Sequence, residues 1–326
     1  MNKSKRVKSV LLVTLLVVST IFGAVGCSNQ DDTSAVESSE RETLKIARQF
    51  GLAYAPLTIM ENKNLIEKYD SNLDVEWIQL GNTAAIREAI LSDQLDIGFM
   101  GIPPYLIGAE NGMNWQIFTG LSQAPLGLMT SDPNIKGLGD IRPEHKIALP
   151  QPGSIQHILL TMAAKRELDD AKAFDNQLVS LKHPDGVQML LSDSDINLHF
   201  TSPPYVFQEK NEGMGEVISG YEAFGGPFTF IVGTLREEMT ENKEVTVAVN
   251  AAINEAIQFM SDNPEETLSI LSEQYGIEKD LLEQYIYESG IVYSQEVLGL
   301  DSFVTFMSDE GYLTDQIKDQ TLIWSE

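Results

Sequence analysis

From Leu44 onward the chain alternates between short apolar runs of period two and longer stretches with helical spacing. Residues 44–49 (LKIARQ) read as a strand closed by Phe50-Gly51, and a helical pattern follows over 56–68. Residues 73–80 (LDVEWIQL) alternate as a half-buried strand, after which Gly81-Asn82-Thr83 opens a helix to position 92. Residues 95–100 form the next strand. Gly101-Ile102-Pro103-Pro104 then begins a helix, with proline in a first turn where its missing N–H is no loss. A fourth strand is expected over 115–122. Such β-α alternation predicts a parallel sheet with helices on both faces and right-handed crossovers.

A second series begins after the Pro/Gly-rich stretch 133–143. Strands are expected at 145–149, 178–181, 196–201 and 216–219, and helices at 153–168, 185–191 and 203–210. The apolar run 228–232 leads into long amphipathic helices over most of 245–287, and 294–325 again reads as helical. No internal repeat of fixed period is present. The expected architecture is α/β, two halves followed by a helical C-terminal tail.

At four places a strand gives way to a helix through small or polar residues: Gly81-Asn82-Thr83, Gly101-Ile102-Pro103, Gly153-Ser154 and Ser202-Pro203-Pro204. In an open parallel sheet these junctions share the carboxyl edge, where ligands bind. Helix N-termini carry unpaired N–H donors and about half a positive charge, so they attract anions without lysine or arginine. Taken singly, Asn82, Thr83, Ser154 and Ser202 are explained as well or better by helix capping. Their shared edge is what points to a cleft.

The N-terminus bears on location. Lys3, Lys5, Arg6 and Lys8 precede an uncharged, largely Val/Leu/Ile run over 9–26, slightly short for a membrane span and ending in small residues. It closes Ala24-Val25-Gly26-Cys27, and Cys27 is the only cysteine. The segment resembles a bacterial lipoprotein signal, with 1–26 removed and Cys27 lipidated. A plain signal peptide or an uncleaved anchor is the alternative. Residues 27–43, rich in Ser and acidic residues, cannot bury enough surface to fold and read as a tether. The expected location is therefore the cell surface or periplasmic face of a bacterium, anchored to the cytoplasmic membrane.

Composition narrows the classes. Of 326 residues 43% are hydrophobic, enough for a substantial core. The net charge of −26, with no basic stripe, speaks against nucleic acid. One cysteine and four histidines leave no pool for a disulfide framework or structural zinc. His157 sits in a predicted first helical turn, His145 and His183 border loops, and His199 falls in a strand. None has metal-ligand spacing. No nucleophile elbow, phosphate loop or free cysteine nucleophile is present in the expected folded part, so no enzyme activity, cofactor or metal is expected.

Three segments carry a family resemblance: LKIARQFGLAYAPLTIMENKNLIEKY, GNTAAIREAILSDQLDIGFMGIPPYLIG and PQPGSIQHILLTMAAKREL. They resemble solute-binding lipoproteins of ATP-driven (ABC) importers, of the nitrate/sulfonate/taurine type, a branch that includes binders of thiamine-pyrimidine precursors and riboflavin. The most specific matches are Leu91–Gly101 (LSDQLDIGFMG) and Pro152–His157 (PGSIQH). The resemblance implies the type II periplasmic-binding-protein fold, with two α/β lobes joined by a two-strand hinge. Lobe 1 would be 44–122 plus 228–326, lobe 2 132–220, and the hinge 123–131 and 221–227. The ligand-facing positions it implies are Gln49, Phe50 and Tyr54; Asn82 and Thr83; Pro104 and Tyr105; Ser154, Gln156 and His157; and Ser202 and Tyr205. The implied partners are a small ligand and the permease and ATPase subunits of an importer, with the receptor itself a monomer.

The ligand expected first is an aliphatic sulfonate, taurine or nitrate-type oxyanion. These positions carry no fixed cation, however, and Arg48 is expected on the far side of its strand, since side chains alternate. Phe50, Tyr54, Tyr105 and Tyr205 suit a stacked heteroaromatic vitamin precursor, although each fits a packing role equally well. A third reading is a ligand-sensing accessory module. The absence of a second apolar span after the lobes favours transport over that one.

Overall fold

The computed structural model describes residues 41–192, 194–314, 317 and 320–325. The expected signal segment, Cys27 and most of the tether lie outside the described residues. Among those described, no helix is long and apolar enough to cross a membrane.

The first series gives β1 (Glu42–Arg48), α1 (Ala55–Lys63), α2 (Leu65–Tyr69), β2 (Leu73–Gln79), α3 (Thr83–Leu91), β3 (Ile97–Gly101), α4 (Ile102–Glu110) and β4 (Trp115–Gln123). A single helix was expected over 56–68, but it breaks at Asn64, whose left-handed backbone (φ 48°) ends α1 and starts α2. The second series gives β5 (Gly127–Thr130), β6 (Ile147–Leu149), α5 (Ile155–Leu168), β7 (Leu178–Ser180), α6 (His183–Leu191), β8 (Leu198–Thr201), α7 (Tyr205–Asn211), β9 (Gly215–Ser219) and α8 (Gly220–Phe224). The chain then runs through β10 (Ile231–Arg236), α9 (Glu237–Glu241), α10 (Lys243–Asp262), α11 (Pro264–Tyr275), α12 (Lys279–Glu283), β11 (Val292–Tyr293) and α13 (Leu300–Asp309).

These strands make two sheets, in the orders β11-β4-β10-β3-β1-β2 and β7-β6-β8-β5-β9. Neither is the all-parallel sheet expected. In the first, β1 pairs parallel with β2 and β3, but β10 lies antiparallel between β3 and β4. In the second, β6 pairs parallel with β7 and β8, while β5 runs antiparallel to β8 and β9. Each sheet thus accepts the first strand to arrive after the chain crosses over from the other. Of the two segments expected as the strands of a hinge, 123–131 contains β5, whereas 221–227 contains most of the short helix α8. All four residues of β5 are buried, and a paired strand satisfies their backbone groups where an open loop could not.

The helices expected over 245–287 are present as α10, α11 and α12, but within 294–325, also expected to be helical, α13 is the one α-helix among the described residues. Gly299 and Gly311, with φ of 83° and 76°, flank that helix. Beyond it Leu322 and Trp324 pair with Ile117 of β4: Ile117 N–H donates to the Leu322 carbonyl (2.9 Å) and Trp324 N–H to the Ile117 carbonyl (2.8 Å).

Candidate functional site: a cleft between the two sheets

Where the strand ends of the two sheets face each other lies a cleft walled by both. Its free space is about 30 Å³. A buried water needs roughly 10–15 Å³ on this measure, so the cleft as it stands holds about two.

The first sheet builds its wall from the end of β1 and the starts of α3 and α4. Gln49 follows β1, and its amide donates to Thr83 Oγ1 (3.2 Å) and the Phe99 carbonyl (3.4 Å), tying the three junctions together. Asn82 caps α3, its Oδ1 accepting from Ala85 N–H at 3.1 Å. At the next N–H, on Ala84, the acceptor is Gln151 Oε1 from the opposite wall (3.3 Å). Gly51 (φ 125°) bends the chain after β1 so that Leu52 N–H reaches the Pro203 carbonyl across the cleft at 3.0 Å. A Cβ at Gly51 would lie 2.9 Å from that carbonyl oxygen, so both backbone shape and space require glycine. Tyr275 at the end of α11 and Tyr293 of β11 donate to the Gly51 and Leu52 carbonyls and hold the loop in place.

The second sheet contributes Gln151, Ser154, Ile155, Gln156 and His183. Ser154 caps α5 by accepting from His157 N–H at 3.3 Å. His183 begins α6. Its Nε2 lies 3.2 Å from Gln156 Nε2, and its Nδ1 lies 3.1 Å from Thr201 Oγ1. Burial, reinforced by nearby His199, holds the His183 imidazole neutral, well below its usual value. Burial also raises the Tyr54 phenol far above its usual range, so it stays protonated.

Four helices, α3, α4, α5 and α6, thus present their N-terminal turns to one cleft through Thr83, Pro104, Ser154 and His183. No carboxylate lines it among the described residues, and the nearest cation is Lys182 of the second wall, whose side chain lies over Gly81 at the rim. Four positive helix ends around a largely enclosed space favour an anion. Phe50, Tyr54 and Phe230 add aromatic surface. Among the described residues no group of His, Cys, Asp or Glu could hold a metal.

A scan against protein-family models matches residues 37–272 to the NMT1-like family. The chain belongs to the NMT1-like family. No curated protein matches its sequence. Solved structures share its fold at low identity. The periplasmic aliphatic sulphonate binding protein SsuA of Escherichia coli is 18% identical with a TM-score of 0.68, covering 87% of this chain and 97% of its own. The periplasmic nitrate-binding protein NrtA of Synechocystis is 18% identical with a TM-score of 0.66, covering 86% and 85%. A conserved Candida albicans protein, described as having the generic periplasmic binding protein fold, is 14% identical with a TM-score of 0.65, covering 85% and 93%.

Of the positions expected to face a ligand in this NMT1-like chain, Gln49, Phe50, Tyr54, Thr83, Pro104, Ser154 and Gln156 line the cleft. Five others do not. The Asn82 side chain is committed to its cap. Tyr105 turns into the core, where its hydroxyl donates to the Leu322 carbonyl (2.8 Å) and its ring packs on Trp115. His157 also turns inward: its Nδ1 accepts from Gly153 N–H (2.9 Å) and its Nε2 faces Asp175 at 3.3 Å, while burial lowers its affinity for a proton. Ser202 is buried, and its carbonyl accepts from Val206 N–H at 3.2 Å. Tyr205 stacks on His183 from behind, with ring centres 5.7 Å apart. Successive helical residues turn by about 100°, so the neighbour of a wall residue need not share the wall. Sequence reasoning missed Gln151, His183 and Phe230. A signal existed for His183, which stands at a strand-to-helix junction (Leu181-Lys182-His183-Pro184) like those that revealed Ser154 and Ser202.

Proposed function

We propose that this NMT1-like protein is an extracytoplasmic receptor that captures a small oxyanion between its two sheets and passes it to an importer. The observation that carries this reading is the convergence of four helix N-termini on a cleft that no carboxylate lines among the described residues. The structural relatives described as sulphonate- and nitrate-binding support it. An aliphatic sulfonate, taurine or nitrate-type ligand suits the site. Residues 44–122 with 228–326 form one lobe and 132–220 the other, closing about 123–131 and 221–227 by hinge motion. The closed form docks on an ABC permease with its ATPase, and lipid on Cys27 keeps the receptor, a monomer, at the membrane face. Binding is reversible and involves no covalent step.

A second reading follows from Phe50, Tyr54 and Phe230, whose rings would sandwich a formylaminopyrimidine or a riboflavin-like ring system. Thermal unfolding of the full chain in detergent separates the two. The panel is taurine, alkanesulfonates, nitrate, bicarbonate, a formylaminopyrimidine and riboflavin. A true ligand at about 100 times its Kd adds about 2.7 kcal/mol, a shift of several degrees. A shift with sulfonates or nitrate supports the oxyanion, and a shift with the aromatic compounds alone moves the assignment to the rings. No shift with any compound sinks both.

A further inference from the structure

Behind the second wall runs a line of buried polar groups that ligand capture alone does not require. Nδ1 of His183 lies 3.5 Å from His199 Nε2, and His199 Nδ1 lies 2.6 Å from Glu209 Oε1 on α7. His199 and Glu209 are wholly buried (0% exposed), and His183 is 9% exposed. Gly186, one turn along α6 from His183, has no room for a side chain, because a Cβ there would fall 2.4 Å from His199 Nε2. The titratable groups facing the two imidazoles are Tyr205 and Glu209 from α7 and each other across α6 and β8. The other neighbours are uncharged: Gln156 from α5, the Thr201 hydroxyl of β8 at 3.1 Å from His183 Nδ1, and Met129 of β5 opposite His199.

Glu209 Oε2 has no hydrogen-bond partner among the described residues. A wholly buried carboxylate with one oxygen unpaired would carry a large desolvation cost, so the carboxyl keeps its proton and donates it to His199 Nδ1. A neutral imidazole has one donor nitrogen and one acceptor, which settles the rest of the line. His199 carries its hydrogen on Nε2 and donates to His183 Nδ1, which also accepts from the Thr201 hydroxyl (3.1 Å), a group free to turn its hydrogen either way. His183 then carries its own on Nε2, toward Gln156 and the cleft. The two ends of the Gln156 amide are isosteric, so its oxygen turns to His183 and its NH2 to the cleft.

We propose that the Glu209–His199–His183 line fixes the polarity of the cleft's second wall, holding it as a hydrogen-bond donor that selects ligands rich in acceptors. Loss of the Glu209 proton reverses every link and turns the wall into an acceptor. The inference rests on the oxyanion reading above. Burial supports it, drawing His199 down to about 3 and pushing Glu209 up to about 9.

The test is a long-range proton–nitrogen correlation spectrum of the full chain in detergent micelles, labelled with 15N-histidine. The sequence has only four histidines to assign. Near neutral pH, His183 and His199 should each carry hydrogen on Nε2 and none on Nδ1. A hydrogen on His199 Nδ1 at that pH overturns the proposal. Above about pH 9 the pattern should invert in the unmodified chain. It should not invert in Glu209→Gln, whose amide still donates to His199 Nδ1, and an inversion surviving there also overturns the proposal. Ethanesulfonate serves as the probe ligand. Its affinity should stay flat near neutral pH, weaken up to about tenfold per pH unit above about pH 9, and lose that dependence in Glu209→Gln. Ethanesulfonate failing to bind at any pH, with the nitrogen pattern intact, overturns the oxyanion reading and leaves the wall's polarity standing. A failed pattern with ethanesulfonate still bound does the reverse.

Discussion

Arg48 ends β1 on the first sheet and points away from the cleft, paired with Glu61 of α1 and lying 5.6 Å over the Trp77 ring. Its neighbour Gln49 faces the cleft instead, as strand alternation requires. The second sheet places its ionisable groups the other way. His183 stands on the cleft wall, with His199 and Glu209 in line behind it. One wall keeps a permanent charge out of the site and offers fixed backbone dipoles. The other brings titratable groups in and keeps them neutral by burial. Both walls thus attract through helix N-termini, and the second adds a hydrogen-bond polarity that a proton can change.

The largest expected effect comes from forcing the walls apart. Gly51→Val places a branched side chain against the Pro203 carbonyl at a positive φ, at a strain of about 1–3 kcal/mol. Ligand affinity in titration calorimetry should fall by at least about tenfold while far-ultraviolet circular dichroism is unchanged; unaltered affinity would mean the two walls need not meet there.

The next effect tests the second wall alone. His183 and His199 bind protons less well when folded, so their stabilisation is intact above about pH 6.5 and lost as pH falls. Glu209 binds its proton more tightly when folded, so its contribution is lost as pH rises from about 4.5 toward about 9. Between about pH 6.5 and 9, Glu209 alone should lower stability by about 1.4 kcal/mol per pH unit. Denaturant unfolding across that range should show the slope, and Glu209→Gln should remove it.

On the first wall, Glu61→Gln strands a buried guanidinium whose Nη1 has no partner among the described residues. Because Glu61 is itself 38% exposed, the cost should be about 1–2 kcal/mol, below that of a fully buried pair. Affinity should not move, and a change of several-fold would place Arg48 in the site after all. The smallest effect belongs to Asn82→Ala, which removes a cap worth about 1 kcal/mol and should leave affinity within about twofold.

Much of this was legible in the sequence. The alternation in LDVEWIQL gave β2 to within a residue, and the polar junctions gave the starts of α3, α4 and α5. Alternation could not reveal which strands are neighbours: β10 enters between β3 and β4 from more than 100 residues downstream, and no local pattern encodes that. β5 was expected only as part of the hinge that the family resemblance implies, because the four residues Gly-Leu-Met-Thr are too few for alternation to mark a strand. Within the site, junction chemistry found Thr83 and Ser154. It could not say that Tyr105 and His157 turn inward, because side-chain direction follows from packing that forms only when distant segments meet.

The placement of β10 also sets an order of events in time. All five strands of the second sheet lie within 127–219, so that sheet can assemble as soon as its own stretch of chain exists. The first sheet cannot. Until Ile231–Arg236 arrives, β3 and β4 have an open slot between them, and the outer edge of β4 waits longer still for Val292–Tyr293 and for Leu322 and Trp324. The half of the molecule that begins the chain is therefore the last to be finished, and a nascent chain stopped short of residue 231 exposes unpaired strand edges to any chaperone or neighbouring chain nearby.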